Sequence, residues 1–229
     1  MNPRATLDRQ LRELNDEVLL LGSMVEEALL TSTRALRAGD LNTSREVYAS
    51  DQRINEKRLE IETYAITVIS TQQPVARDMR ILASILEIIT ELERIGDYAK
   101  GIGRINLLLN QHKPANTAGA GVPDDLVEMA QLATDMLHRA LGAFVADDVK
   151  TARAIPAEDD KVDTIYNRLH RKLIERMTQD SASIDYNNYL LWAAHNLERT
   201  ADRVTNICER TVFVNTGKMI EMDPFEHHE

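Results

Sequence analysis

Apolar positions recur along the chain in alternating steps of four and three. Leu7, Leu11, Leu14, Val18, Leu21, Val25 and Ala28 form one such series. Ile81, Ile85, Ile88, Leu92, Ile95, Ala99 and Ile102 form a second, and Leu190, Ala194, Leu197, Ala201, Val204 and Cys208 a third. At 3.6 residues per turn this spacing draws a single apolar seam, the pattern of long helices packed at shallow angles in a bundle. Residues 40–73 and 157–216 contain neither glycine nor proline. Strands need a turn every few residues, so such stretches read as helix. Breaks fall at Gly39-Asp40, at Gln72-Gln73-Pro74, over residues 110–123, at Asp147-Asp148 and over residues 179–183. The pattern therefore predicts six helices, near 4–38, 40–73, 75–112, 123–147, 149–179 and 182–217. Pro74 and Pro123 suit first helical turns, Pro156 an early turn or kink of the fifth helix, and Ser181 and Ser183 a cap.

The two halves repeat each other. Leu92-Glu-Arg-Ile-Gly-Asp-Tyr-Ala-Lys-Gly-Ile102 aligns without gaps with Leu197-Glu-Arg-Thr-Ala-Asp-Arg-Val-Thr-Asn-Ile207, and both carboxylates are kept. Upstream, Asp51-Gln-Arg-Ile-Asn55 aligns with Asp159-Asp-Lys-Val-Asp163. This is a tandem duplication of a three-helix unit. The expected fold is all-α: two pseudo-symmetric three-helix bundles at 1–113 and 123–217, a linker at 114–122 and a loose tail at 218–229.

Composition narrows the class. Lys+Arg 27 against Asp+Glu 37 leaves a net charge of −10, which argues against a general nucleic-acid binder. No run of about 18 apolar residues exists, so no direct membrane insertion is expected. The charged start MNPRATLDRQLRELNDE leads us to expect no signal peptide, and a single cysteine fits a reducing compartment. From residue 115 onward there are 12 basic and 20 acidic residues, against 15 and 17 before. A partner with basic patches is thus electrostatically plausible.

The carboxylates carry the candidate chemistry. Glu93 and Asp97, Glu198 and Asp202, and Asp159 and Asp163 are each four apart, which on a helix sets like charges side by side. Asp51 lies on the stripe of Val47, Ile54, Ile61 and Val68. Acids on an apolar face are costly unless paired or metal-bound. An all-oxygen set suits Mg, Ca or Mn, and iron is also compatible. The competing reading is solvated surface charge, with Arg94 and Arg199 neutralising their neighbours. His195, three residues before Glu198, reads either as a further ligand or as a solvated histidine. Glu-x-x-His, the mark of di-iron carboxylate bundles, does not occur.

Pro74-Val-Ala-Arg-Asp-Met-Arg80 followed by Leu92-Glu-Arg-Ile-Gly-Asp97, and Glu198-Arg-x-x-Asp202-x-x-x-Asn206-Ile-x-Glu209-Arg210, resemble the PhoU family of phosphate-signalling regulators. The resemblance spans roughly residues 5–217. It implies a cytoplasmic helical protein with metal sites at these motifs and a role in repressing the phosphate-starvation response. It also implies action with a Pst-type phosphate ABC transporter and a PhoR-type sensor histidine kinase, as a homodimer or larger oligomer. The metal ligands it implies are Asp51, Glu93 and Asp97 in the first half, and Asp159, Asp163, Glu198 and Asp202 in the second. The first half departs from the pattern, with Asn55 for the second acid of helix two, and with Gly101 and Arg104 matching Asn206 and Glu209. The second set is therefore expected to hold divalent or iron-type ions more firmly. The alternatives are a helical adaptor without functional metal and a carboxylate-metal hydrolase or oxidase.

Overall fold

The computed structural model describes residues 3–111 and 121–222. Among them run α1 (Pro3–Ala38), α2 (Leu41–Gln72), α3 (Arg77–Leu109), α4 (Asp124–Val145), α5 (Val149–Ala154), α6 (Asp159–Gln179) and α7 (Ile184–Thr216), with no strand. Local chemistry sets the ends. Gly39 adopts the left-handed conformation that stops α1, with φ +66°. Asp40 then accepts from the N–H groups of Asn42 and Thr43 to start α2. Gln73 and Ala76 take positive φ, so α3 begins after Pro74 rather than upon it. Pro123 is the residue just before α4. Asp180, not Ser181 or Ser183, accepts from a backbone N–H in the turn before α7.

The fifth expected helix is broken. Pro156 has no N–H to give and its ring crowds the carbonyl four residues back. The chain makes a short α5, a 3-10 turn over Pro156–Glu158, and restarts as α6 at Asp159. Arg139 of α4 fastens that turn with a two-pronged bond to Glu158, at 2.8 and 2.9 Å. Asp159 thus stands at the first residue of a helix, whereas its counterpart Asp51 sits within α2.

α1, α2 and α3 pack on one another, as do α4, α6 and α7. The halves join through α3 against α7 and α1 against α4, so α2, α3, α7 and α6 form one layer and α1 and α4 cover one side of it. α3 and α7 run antiparallel. Arg80 donates to the Val214 carbonyl at 3.1 Å, and Arg203 and Asn206 reach Glu91 at 3.5 and 3.3 Å. All three seams are buried apart from the half-buried Ile81, and one continuous apolar cluster draws on every helix. Most of the 114–122 linker falls outside the described residues. In the tail, Ile220 and Met222 lie against the core, and the Met222 N–H donates to Glu209 at 2.8 Å. Residues 223–229, with His227 and His228, lie outside the described residues.

Candidate metal centre

The second carboxylate set comes from adjacent helices. α6 supplies Asp159 and Asp163 one turn apart, and α7 supplies Glu198 and Asp202. Asp159 is only 3% exposed. Its Oδ1 and the Oε2 of Glu198 are buried without a hydrogen-bond partner. Burial, then repulsion from Asp163, Asp202 and Glu198, pushes the Asp159 carboxyl up to about 7. Burial likewise raises Asp163, with Asp202 adding to it. Glu198 is raised by burial and by Asp202, while His195 pulls it back. His195 Nδ1 lies 3.1 Å from Glu198 Oε2. Asp202 is raised by burial against the pull of Arg203 and Arg199.

Those two arginines are engaged elsewhere. Arg199 stacks 5.1 Å over the Tyr98 ring and Arg203 faces Glu91. In the first half Arg94 donates to Glu91 at 2.6 Å. In place of the expected neutralisation of Glu93 by Arg94 and of Glu198 by Arg199, Arg94 pairs within α3 with Glu91 and Arg199 crosses the α3/α7 seam to Tyr98. What remains in the second half is a patch of part-buried acids, with His195 beside Glu198 and Arg203 and Arg199 pulling on Asp202 while they make contacts of their own. That is unfavourable as it stands and favourable once a cation is present.

The first set is arranged differently. Asp51, 4% exposed, receives the ammonium of Lys100 on Oδ2 at 2.6 Å and the Asn55 amide at 3.2 Å. The same ammonium is 3.7 Å from Asp97 Oδ1 and 5.5 Å from the Tyr48 ring centre. Burial raises Glu93, and Asp97 adds to it, while Asp97 is exposed. Sequence reasoning missed Lys100. The available signal was its place three residues after Asp97 on one helical face. Its partner Asp51, 49 positions away, needed the docked α2/α3 pair.

On donor chemistry the second set fits a hard cation, with four carboxylates and no ammonium bound among them, while buried unpartnered oxygens occur in both halves, on Asp159 and Glu198 and on Asp51 and Asn55. The first set does not fit, because a lysine already fills it. Among the described residues no three His, Cys, Asp or Glu side chains already converge around one point. The second set is therefore a group of neighbours, not a finished cage, and its side chains must rotate inward to share an ion. Cys208 is buried and its thiol is pushed up to about 12 by burial, so it offers no nucleophile. Tyr186 is buried, whereas Trp192 is 53% exposed and meets Tyr189 edge-on.

An internally duplicated six-segment helical bundle with paired acids on equivalent helices defines a class of two-repeat, carboxylate-bearing helical proteins. The PhoU domain matches this chain twice, over residues 18–105 and 126–211, and the chain belongs to the PhoU family. It is 31% identical over 221 residues to the phosphate-specific transport system accessory protein PhoU homolog of Clostridium acetobutylicum, covering 96% of this chain and 99% of that one. It is 34% identical over 211 residues to the PhoU of Edwardsiella tarda, covering 91% and 84%. The crystal structure of the phosphate transport system regulatory protein PhoU from Streptococcus pneumoniae superposes with a TM-score of 0.84 at 29% identity, covering 93% of this chain and 99% of that one. PhoU from Pseudomonas aeruginosa gives 0.83 at 26%, covering 92% and 99%. Among the described residues no helix is long and apolar enough to cross a membrane.

Proposed function

We propose that this chain is a non-catalytic regulator of phosphate uptake and signalling that lowers the phosphate-starvation response when phosphate is plentiful. Its partners in this reading are a Pst-type phosphate ABC transporter and a PhoR-type sensor histidine kinase, met in the cytoplasm, with the chain acting as a homodimer or larger oligomer. The observation that carries it is the family match over both repeats, to relatives named as accessory proteins of a phosphate-specific transport system.

The second-half acids give the regulator its metal dependence. Asp159 and Asp163 would hold a divalent or iron-type ion from α6, and Glu198 and Asp202 from α7. The ion would supply the positive charge those side chains lack and leave positions open for an acidic or phosphate group on a partner. The residues themselves come from two packed helices, so an ion shared among them would tie α6 to α7. Asp159 contributes from the first turn of its helix, where the helix dipole also favours negative charge. Nothing in this arrangement resembles a nucleophile with a base, which supports regulation over hydrolysis or oxidation.

The decisive experiment deletes the gene and follows a phosphate-starvation reporter in phosphate-rich medium. Derepression that the wild-type gene reverses is the expected result. A reporter that stays repressed sinks the regulatory reading. A helical adaptor without metal is the second reading, favoured by the lack of a ready-made cage. Protein purified without chelator that carries no metal, and shows no thermal shift with Mn, Mg, Zn or Fe, would select it.

A further inference from the structure

The two repeats differ at a position beside their acid pairs. Lys100 aligns with Thr205 in the gapless repeat. In the first half the Lys100 ammonium donates to Asp51 at 2.6 Å, lies 3.7 Å from Asp97 and caps the face of Tyr48. Threonine carries no charge and cannot do this, and the Thr205 hydroxyl is buried without a hydrogen-bond partner. The backbone supports the difference. A Cβ on Gly96 would come within 3.1 Å of Ile54, and one on Gly103 within 3.1 Å of the Ser44 carbonyl oxygen. These glycines let α2 approach α3 closely enough for Asp51 to meet Lys100. Ala201 and Cys208 stand at the matching places in α7. Asn55 replaces the second acid of α2 and turns its amide toward Asp51 at 3.2 Å. The first half thus lacks one negative charge and already holds one positive charge.

We propose that Lys100 is a built-in cation that takes the place of a metal ion in the first repeat, so that this chain takes up divalent metal through its second repeat alone. An ammonium held by two carboxylates and an aromatic face contributes the charge compensation of a bound ion, without dependence on metal supply. The count of ions rests on the metal reading of the second repeat, but the role of Lys100 does not.

Full-length chain, stripped with chelator and desalted, is loaded with Mn²⁺ alone and its metal is measured by mass spectrometry and titration calorimetry. Glu93→Gln and Asp97→Asn should leave the bound Mn²⁺ unchanged, whereas Glu198→Gln with Asp202→Asn should abolish it. Adding Lys100→Met to that double variant should create Mn²⁺ binding, tightened by about tenfold or more relative to its parent. Lys100→Met alone should lower the melting temperature in chelator, with Mn²⁺ restoring it. Stoichiometric Mn²⁺ in the Glu198→Gln/Asp202→Asn protein that vanishes on adding Glu93→Gln overturns the proposal. So does a folded Lys100→Met protein that gains no Mn²⁺. A wild-type chain without any Mn²⁺ defeats the metal reading of the second repeat instead, and Mn²⁺ gained by Lys100→Met would then still uphold the substitution. Should Lys100→Met fail to fold, the Glu93→Gln and Asp97→Asn proteins, which keep the lysine, decide the matter by their metal content.

Discussion

Asp159 concentrates the tension of this molecule in one side chain. It is buried, is repelled by four other acids and leaves Oδ1 unpartnered. Its place at the start of α6 offsets part of that cost, since a helix N-terminus favours an anion by about 0.3–1 kcal/mol. In chelator at pH 7.5, Asp159→Asn should therefore stabilise the protein by about 1–2 kcal/mol, less than the full shift would give at about 1.4 kcal/mol per pKa unit. Differential scanning fluorimetry reads this as a higher melting temperature, and a lower one would show that the carboxylate is favourably held without metal. Cys208 makes a second test. Burial lifts its thiol from 9.0 to about 12, so the native chain prefers the protonated form. That preference is fully present below pH 9 and is lost as pH rises toward 12. At pH 8 the native protein should resist Ellman's reagent and react fully only in denaturant. Rapid reaction of the folded chain would place the thiol at the surface.

At the scale of elements, helix identity was legible because the seams are long and rarely interrupted. The series of steps of four and three in α1, α3 and α7 are buried but for the half-buried Ile81, and further apolar residues such as Leu29, Ile89 and Val212 join them. The break at residues 155–158 was only half legible. Pro156 marked a kink, but whether the chain bends or restarts depends on Arg139 of α4, which grips Glu158. Glycines inside helices separate packing from propensity. Gly142 of α4 has open space around a would-be Cβ, so Gly142→Ala should stabilise by about 0.5–1 kcal/mol through helix propensity alone. Gly103 faces the Ser44 backbone at 3.1 Å. There the same change should destabilise by about 1 kcal/mol, because α2 must move away. Urea unfolding of the two variants is the check, and shifts of the same sign would dissolve the contrast.

At the scale of the whole molecule, the repeats are not separate bodies. α3 and α7 share an apolar seam, and Glu91 of the first half holds Arg203 and Asn206 of the second. Calorimetry should accordingly show one cooperative transition. Two transitions, one per repeat, would contradict a common core. Glu91 was invisible in sequence as a joint: an acid on α3 with an arginine three residues on reads as a local pair, and the local pair does form, at 2.6 Å to Arg94. Its second role exists only because the halves pack antiparallel.

Helical class, duplication and the candidate acids were all readable from the order of residues, because periodicity and repetition are properties of the chain alone. Which arginine answers which acid, whether an ammonium reaches Asp51, and how tightly two helices meet were set by packing. Charges act through space across distances of a few ångströms. Residues 49 or more positions apart in sequence become neighbours only once the bundle has closed.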